Sequence, residues 1–108
     1  MTSVRQYAED EVMRAVVKQA VQKYYSGATV LGRVVLCEQI AGDPSIRVHI
    51  PDAILQSRVA FRQRIVRALK QYGCTRRNNH YRSNGVDLSP QIFAPLTTEE
   101  RGLLQVKV

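Results

Sequence analysis

The sequence predicts a small α+β fold: an N-terminal helix, a hairpin or short helix, a second amphipathic helix and a basic C-terminal hairpin. Two stretches with helical apolar spacing, residues 3–25 and 57–72, each end near a glycine. Short apolar or alternating runs lie between and after them, which is strand-like patterning. At 108 residues the chain is long enough for one modest core, so residues 1–108 are read as a single domain.

Ser3-Val4-Arg5-Gln6 has the form of a capping box, in which serine and glutamine side chains satisfy backbone N–H groups at a helix start. Val12, Met13, Val16, Val17, Ala20, Val21 and Tyr24 then share one face, with Arg14, Lys18 and Gln22 directed away, until Gly27 stops the helix. Residues 29–40, TVLGRVVLCEQI, followed by a Gly-Asp-Pro turn and the alternating Arg47-Val48-His49-Ile50, are read first as a hairpin. The same apolar run is also compatible with a helix over residues 30–41. Either Asp52 or Ser57 can cap the next helix.

In that helix Leu55, Val59, Phe61, Ile65, Val66, Leu69 and Tyr72 are assigned to the core half, and Gln56, Gln63, Arg64, Arg67, Lys70 and Gln71 to the solvent half. Arg58 and Arg62 fall within the apolar arc at its N-terminal end. Burying two unpaired guanidinium groups is costly, so this end is expected to project beyond the core. Gly73 is placed for a C-cap. Residues 74–82 can extend as a strand, Asn84-Gly85 suits a type I′ turn and Val86 to Pro95 can return. Thr97 to Arg101 can start one helical turn, and Gln105 to Val108 can add an edge strand.

Lys and Arg number 16 against 9 Asp and Glu, a net +7 that favours an anionic partner. The excess is local: from Gln56 to Arg82 there are eight cations, Arg58, Arg62, Arg64, Arg67, Lys70, Arg76, Arg77 and Arg82, and no acid. No apolar run approaches the roughly 20 residues of a membrane span, and the N-terminus lacks a signal-peptide core, so no membrane association and a cytoplasmic location are expected. Cys37, His49, Cys74 and His80 lack the paired spacing of a zinc site, and the acids are not clustered as in a metal-dependent nuclease. Neither phosphate-loop nor dinucleotide-binding glycine motifs occur. No catalysis, no metal and no cofactor are therefore expected. Tyr7, Ala8 and Tyr25 lie beyond the main stripe of the first helix, surface that a homodimer would bury.

The run SRVAFRQRIVRALKQYGCTRRNNHY, Ser57 to Tyr81, resembles the amphipathic helix, glycine and basic strand in winged-helix segments of virulence-associated E-like phage and plasmid replication proteins. It covers about a quarter of the chain, and departs from that pattern at Cys74, where an aromatic is common, and in the longer return through Val86-Asp87-Leu88-Ser89-Pro90. The resemblance implies a helix set against DNA with Arg58, Arg62, Arg64 and Arg67, and a wing carrying Arg76, Arg77 and Arg82. It also requires residues 30–41 to be helical. Together, composition and resemblance imply a small non-catalytic nucleic-acid-binding protein, with DNA the expected polymer. Lys70, His80 and Tyr81 suit phosphate contact or stacking, and Gln63, Asn78 and Asn79 suit base edges. The alternative is a small inhibitor or adaptor that targets a host protein or a nucleic-acid-processing complex.

Overall fold

The computed structural model describes residues 4–76 and 85–105. The Ser3 capping box, Arg77 to Asn84 of the expected basic hairpin and Val106 to Val108 of the expected edge strand lie outside the described residues. The chain runs α1 (Val4–Tyr24), β1 (Val30–Gly32), α2 (Arg33–Ala41), α3 (Pro44–Arg47), α4 (Asp52–Leu55), α5 (Arg58–Gln71), β2 (Thr75–Arg76), β3 (Gly85–Asp87), a 3₁₀ turn (Pro90–Phe93) and α6 (Thr98–Leu103). It is the small α+β fold with an N-terminal helix that the sequence predicts. The antiparallel sheet has the order β1-β3-β2. Leu31 lies opposite Val86 in the ladder, and both are buried.

The core is one cluster. Met13, Val16, Val17, Ala20 and Val21 of α1 meet Leu36, Cys37 and Ile40 of α2, Phe61, Ile65, Ala68 and Leu69 of α5, and Leu31 and Val86 of the sheet. Residues i, i+3, i+4 and i+7 supply each helical face, as amphipathic packing requires. Helix α1 departs from that pattern, because Ala15 and Lys18 on its expected solvent side are buried as well. The C-terminal segment covers them. Gln22 donates to the carbonyls of Ile92 and Ala94, while Lys18 Nζ donates to Pro95 O at 3.3 Å and pairs with Glu100 at 2.9 Å. Lys18 and Gln22 are thus attachment points for residues 90–104, not solvated groups.

The hairpin expected from residues 29–50 is replaced by a single short strand and two helices. Leu36, Cys37 and Ile40 are buried at helical spacing in α2, and strand pairing for β1 comes from β3 instead. The Gly-Asp-Pro sequence is a helix start: Asp43 accepts from Ser45 N and Oγ at 3.1 and 2.6 Å, with Pro44 in the first turn. Ile46 and Ile50 are buried four residues apart while Val48 is 59% exposed, so Arg47 to Ile50 follows a helical rather than an alternating pattern. Ser57, not Asp52, caps α5 through Ala60 N.

Helix α5 ends in a Schellman turn. Cys74 N donates to Leu69 O at 3.0 Å and Gly73 N to Lys70 O at 2.9 Å, with Gly73 at φ +80°. The buried pair Leu69 and Cys74 closes the turn and directs the chain into β2. The expected return strand is shorter than Val86 to Pro95, since β3 ends at Asp87 and Pro90–Phe93 forms the 3₁₀ turn. At the C-terminus Thr97 and Glu100 form a complete capping box for α6.

Two consequences are measurable. Gly73→Ala forces a left-handed backbone on an L-residue in otherwise ordinary contact distance, so chemical denaturation should show a loss of about 1–2 kcal/mol. Burial opposes ionisation of Glu100, but hydrogen bonds from Thr97 N–H, the Tyr72 hydroxyl and the Lys18 ammonium outweigh it and lower the pKa to about 2. Hydrogen bonds from Lys23, Ser45 and Tyr24 likewise hold Asp43 well below the ordinary carboxylate value. Carboxylates depressed on folding stabilise the protein above their unfolded values, roughly 4, and that contribution is lost as pH falls through the folded ones. Denaturation at stepped pH should give nearly constant stability between about pH 5 and 9 and a steep fall toward pH 2. Glu100→Gln should flatten that fall and, by leaving Lys18 buried without its counter-ion, cost about 3 kcal/mol at pH 7.

Candidate nucleic-acid interface

The outward side of α5 is set by its inward anchors. Phe61, Ile65, Ala68 and Leu69 are buried, and at 100° per residue Val59 lies about 160° around from Phe61. Val59 is accordingly 65% exposed, which corrects its assignment to the core half. Arg58, Arg62, Gln63, Arg67 and Lys70 are all exposed. The expected projection of this end beyond the core is not seen, since Phe61 in the first turn of α5 and Ile54 just before it are buried core residues; Arg58 and Arg62 nonetheless keep their charges in solvent.

Arg64 does not belong with them. Its guanidinium spans two α1 carboxylates, Glu9 Oε2 and Asp10 Oδ1, both at 2.5 Å, and Asp10 is itself buried. Arg67, half exposed, reaches the other oxygen of Asp10 at 3.2 Å. The acid-free run in sequence therefore receives its counter-ions from α1, more than fifty residues away. Arg64 cross-links α1 to α5 and is not a solvent-face contact residue. Arg67 keeps an exposed edge.

A groove opens between α5, the start of α2 and β2. Arg33 and Val66 border all three of its hollows, of about 370, 160 and 100 Å³. Arg62, Gln63, Arg67 and Lys70 line the largest. Val34 and Cys37 of α2 join Arg62 in the second, and Lys70 meets Arg76 of β2 and Val86 of β3 in the third. Five cations line this continuous surface and no carboxylate does. Arg33 was not a sequence candidate, because it sits in the charge-balanced half of the chain. Its one local signal is position, immediately after Gly32, which ends β1 and caps α2. Burial raises the Cys37 thiol despite the nearby Arg62 and Arg33 guanidinium groups, so it is a packing group of the groove wall.

A larger hollow of about 740 Å³ lies between α1, the end of α5 and α6, lined by Glu11, Arg14, Lys18, Tyr72, Glu99 and Glu100 among others. Its charges are of both signs and chiefly satisfy one another: Tyr72 donates to Glu100 at 2.6 Å, and Lys18 sits 5.5 Å from the Tyr72 ring. It has the character of a structural joint. Among the described residues no group of three or more His, Cys, Asp and Glu side chains is placed to hold a metal ion, and no helix is long and apolar enough to cross a membrane. The expected contacts at Arg77, Asn78, Asn79, His80, Tyr81 and Arg82 lie outside the described residues. Tyr25, taken as surplus surface for a homodimer, instead packs against the core, and Tyr24 is the exposed member of the pair, bonded to Asp43 at 2.5 Å. No family model, curated protein or solved structure matches the chain.

Separating the two arginines tests this geometry. Arg64→Ala leaves the α1 carboxylates, including buried Asp10, without their main partner and should cost about 3 kcal/mol in chemical denaturation. Arg67→Ala removes a half-exposed guanidinium while Arg64 still holds Asp10, and should cost less than about 1 kcal/mol.

Proposed function

We propose that the protein binds duplex DNA without catalysing a reaction, with α5 lying in the major groove and the α2 start and β2 on the flanking phosphates. The observation that carries this reading is the groove lined by Arg33, Arg62, Arg67, Lys70 and Arg76 with no acid, drawn from three separate elements. An anionic polymer, not a small anion, matches cations spread along a helix of 14 residues.

Connectivity supports it further. Helix, strand, helix, then α5 and a two-strand return in the order β1-β3-β2 is the arrangement expected of a winged helix, whose third major helix enters the groove. Two features favour it: the helix required over residues 30–41 is present over 33–41, with 30–32 forming β1 instead, and β2 and β3 pair antiparallel directly after α5. A projecting helix also suits B-form DNA better than duplex RNA, whose major groove is too deep and narrow for side chains to read. A phage or plasmid replication setting is part of the same proposal and rests on the resemblance of residues 57–81.

Titration with duplex DNA at several salt concentrations tests the reading. Four to six phosphate contacts correspond to a slope of log K against log[salt] of roughly −4 to −5. Arg62→Glu with Lys70→Glu should retain the fold, because neither forms an ion pair among the described residues, and should abolish binding at moderate salt. Single neutral substitutions should each make the slope shallower by about 0.9. Unchanged affinity in the double variant, or parental binding confined to a protein partner, to RNA or to single strands, would show the proposal to be wrong.

A further inference from the structure

Helix α5 carries more than cations on its outward side. Val59, Gln63, Val66 and Lys70 follow one another at i, i+4, i+7 and i+11, a single stripe opposite the buried face. Along it Val59 is 65% exposed, Gln63 is exposed and Val66 is half-buried at the floor of the groove. The cations Arg62 and Arg67 stand on either side. A helix that only neutralised phosphate would have no use for an exposed valine at its centre line, since water is a poor solvent for it. A helix in the major groove does, because phosphates lie to the sides and base edges lie ahead.

We infer that this stripe reads A·T base pairs, Val59 packing on the C5-methyl of thymine and Gln63 bonding adenine N6 and N7, with Arg62 and Arg67 on the phosphates that border the groove. The inference rests on the duplex-DNA reading above. Thymine alone among the bases presents a methyl group in the major groove, and a glutamine amide matches the donor and acceptor pair of adenine. Both residues lie in the first two turns of α5, the part of such a helix that reaches base edges. Charge complementarity selects the partner: an apolar contact framed by cations on both sides suits DNA, whereas a protein surface would need carboxylates spaced like phosphates.

Selection from a library of duplexes with a randomised centre, followed by affinity measurement on the selected site, provides the test. The selected sites should hold at least one fixed A·T pair. Replacing its thymine by deoxyuridine removes only the methyl group and should weaken parental binding about fourfold, the worth of one buried methyl-sized group. Val59→Ala should weaken binding to the thymine site by a similar factor and no longer distinguish thymine from deoxyuridine. Gln63→Ala should lose roughly tenfold on the A·T site and most of its preference over G·C. Both variants alter exposed side chains, and the deoxyuridine arm leaves the protein untouched, so misfolding cannot imitate the result. Duplex binding with no fixed A·T pair, or parental indifference to the methyl group, overturns the inference while leaving DNA binding intact. Failure to bind any duplex at low salt overturns both.

Discussion

The rotation of α5 about its own axis decides which side chains meet solvent, and that rotation is held by Arg64 between Glu9 and Asp10. The buried row of Phe61, Ile65, Ala68 and Leu69 alone would tolerate some roll, because dispersion contacts are weakly directional. A guanidinium fork that bonds two carboxylates on a neighbouring helix is directional. With Arg64 turned toward α1, Arg62 and Lys70 must face away, toward α2 and β2. The ion pair is thus a positioning device, whatever its net worth after desolvation.

Local signals in the sequence were legible where one turn of chain contains both partners. Gly27 and Gly73 adopt the positive φ that helix ends demand, Ser57 caps α5 and Thr97 with Glu100 caps α6. The exposure of Arg58 also follows from the cost of burying it. The Val-rich run at residues 30–41 was not legible, because apolar density alone does not separate a buried helix from a strand, and its strand partner lies over fifty residues later. The Gly-Asp-Pro triplet suits a turn, and aspartate before proline suits a helix start equally well, so the local residues do not separate the two.

Charge was misread for a related reason. Eight cations without an acid between residues 56 and 82 describe a line, whereas the field that a ligand meets depends on neighbours in space. Two of the nine acids fold back onto Arg64 and Arg67, and the groove lining gains Arg33 from a segment whose own charges balance. Tyr24 and Tyr25 show the same limit on a smaller scale: adjacent residues at the edge of a helical stripe exchange roles once Asp43 offers one of them a hydrogen-bond partner.

The pairing of Lys18 with Glu100 spans 82 residues of chain. During synthesis the ammonium group emerges first, and the carboxylate that accompanies its burial emerges 82 residues later. Helix α1 can coil as soon as it is free, but its rear side remains wet until Pro95 and Glu100 arrive. The closing event is therefore long-range, of the kind that slows folding because a long loop must be closed before its contacts form. A nascent chain halted before residue 90 would hold every cation of the groove and still lack Ile92, one of the fully buried residues of the core. The arrangement of the groove walls on a completed core would then wait on the docking of residues 90–104.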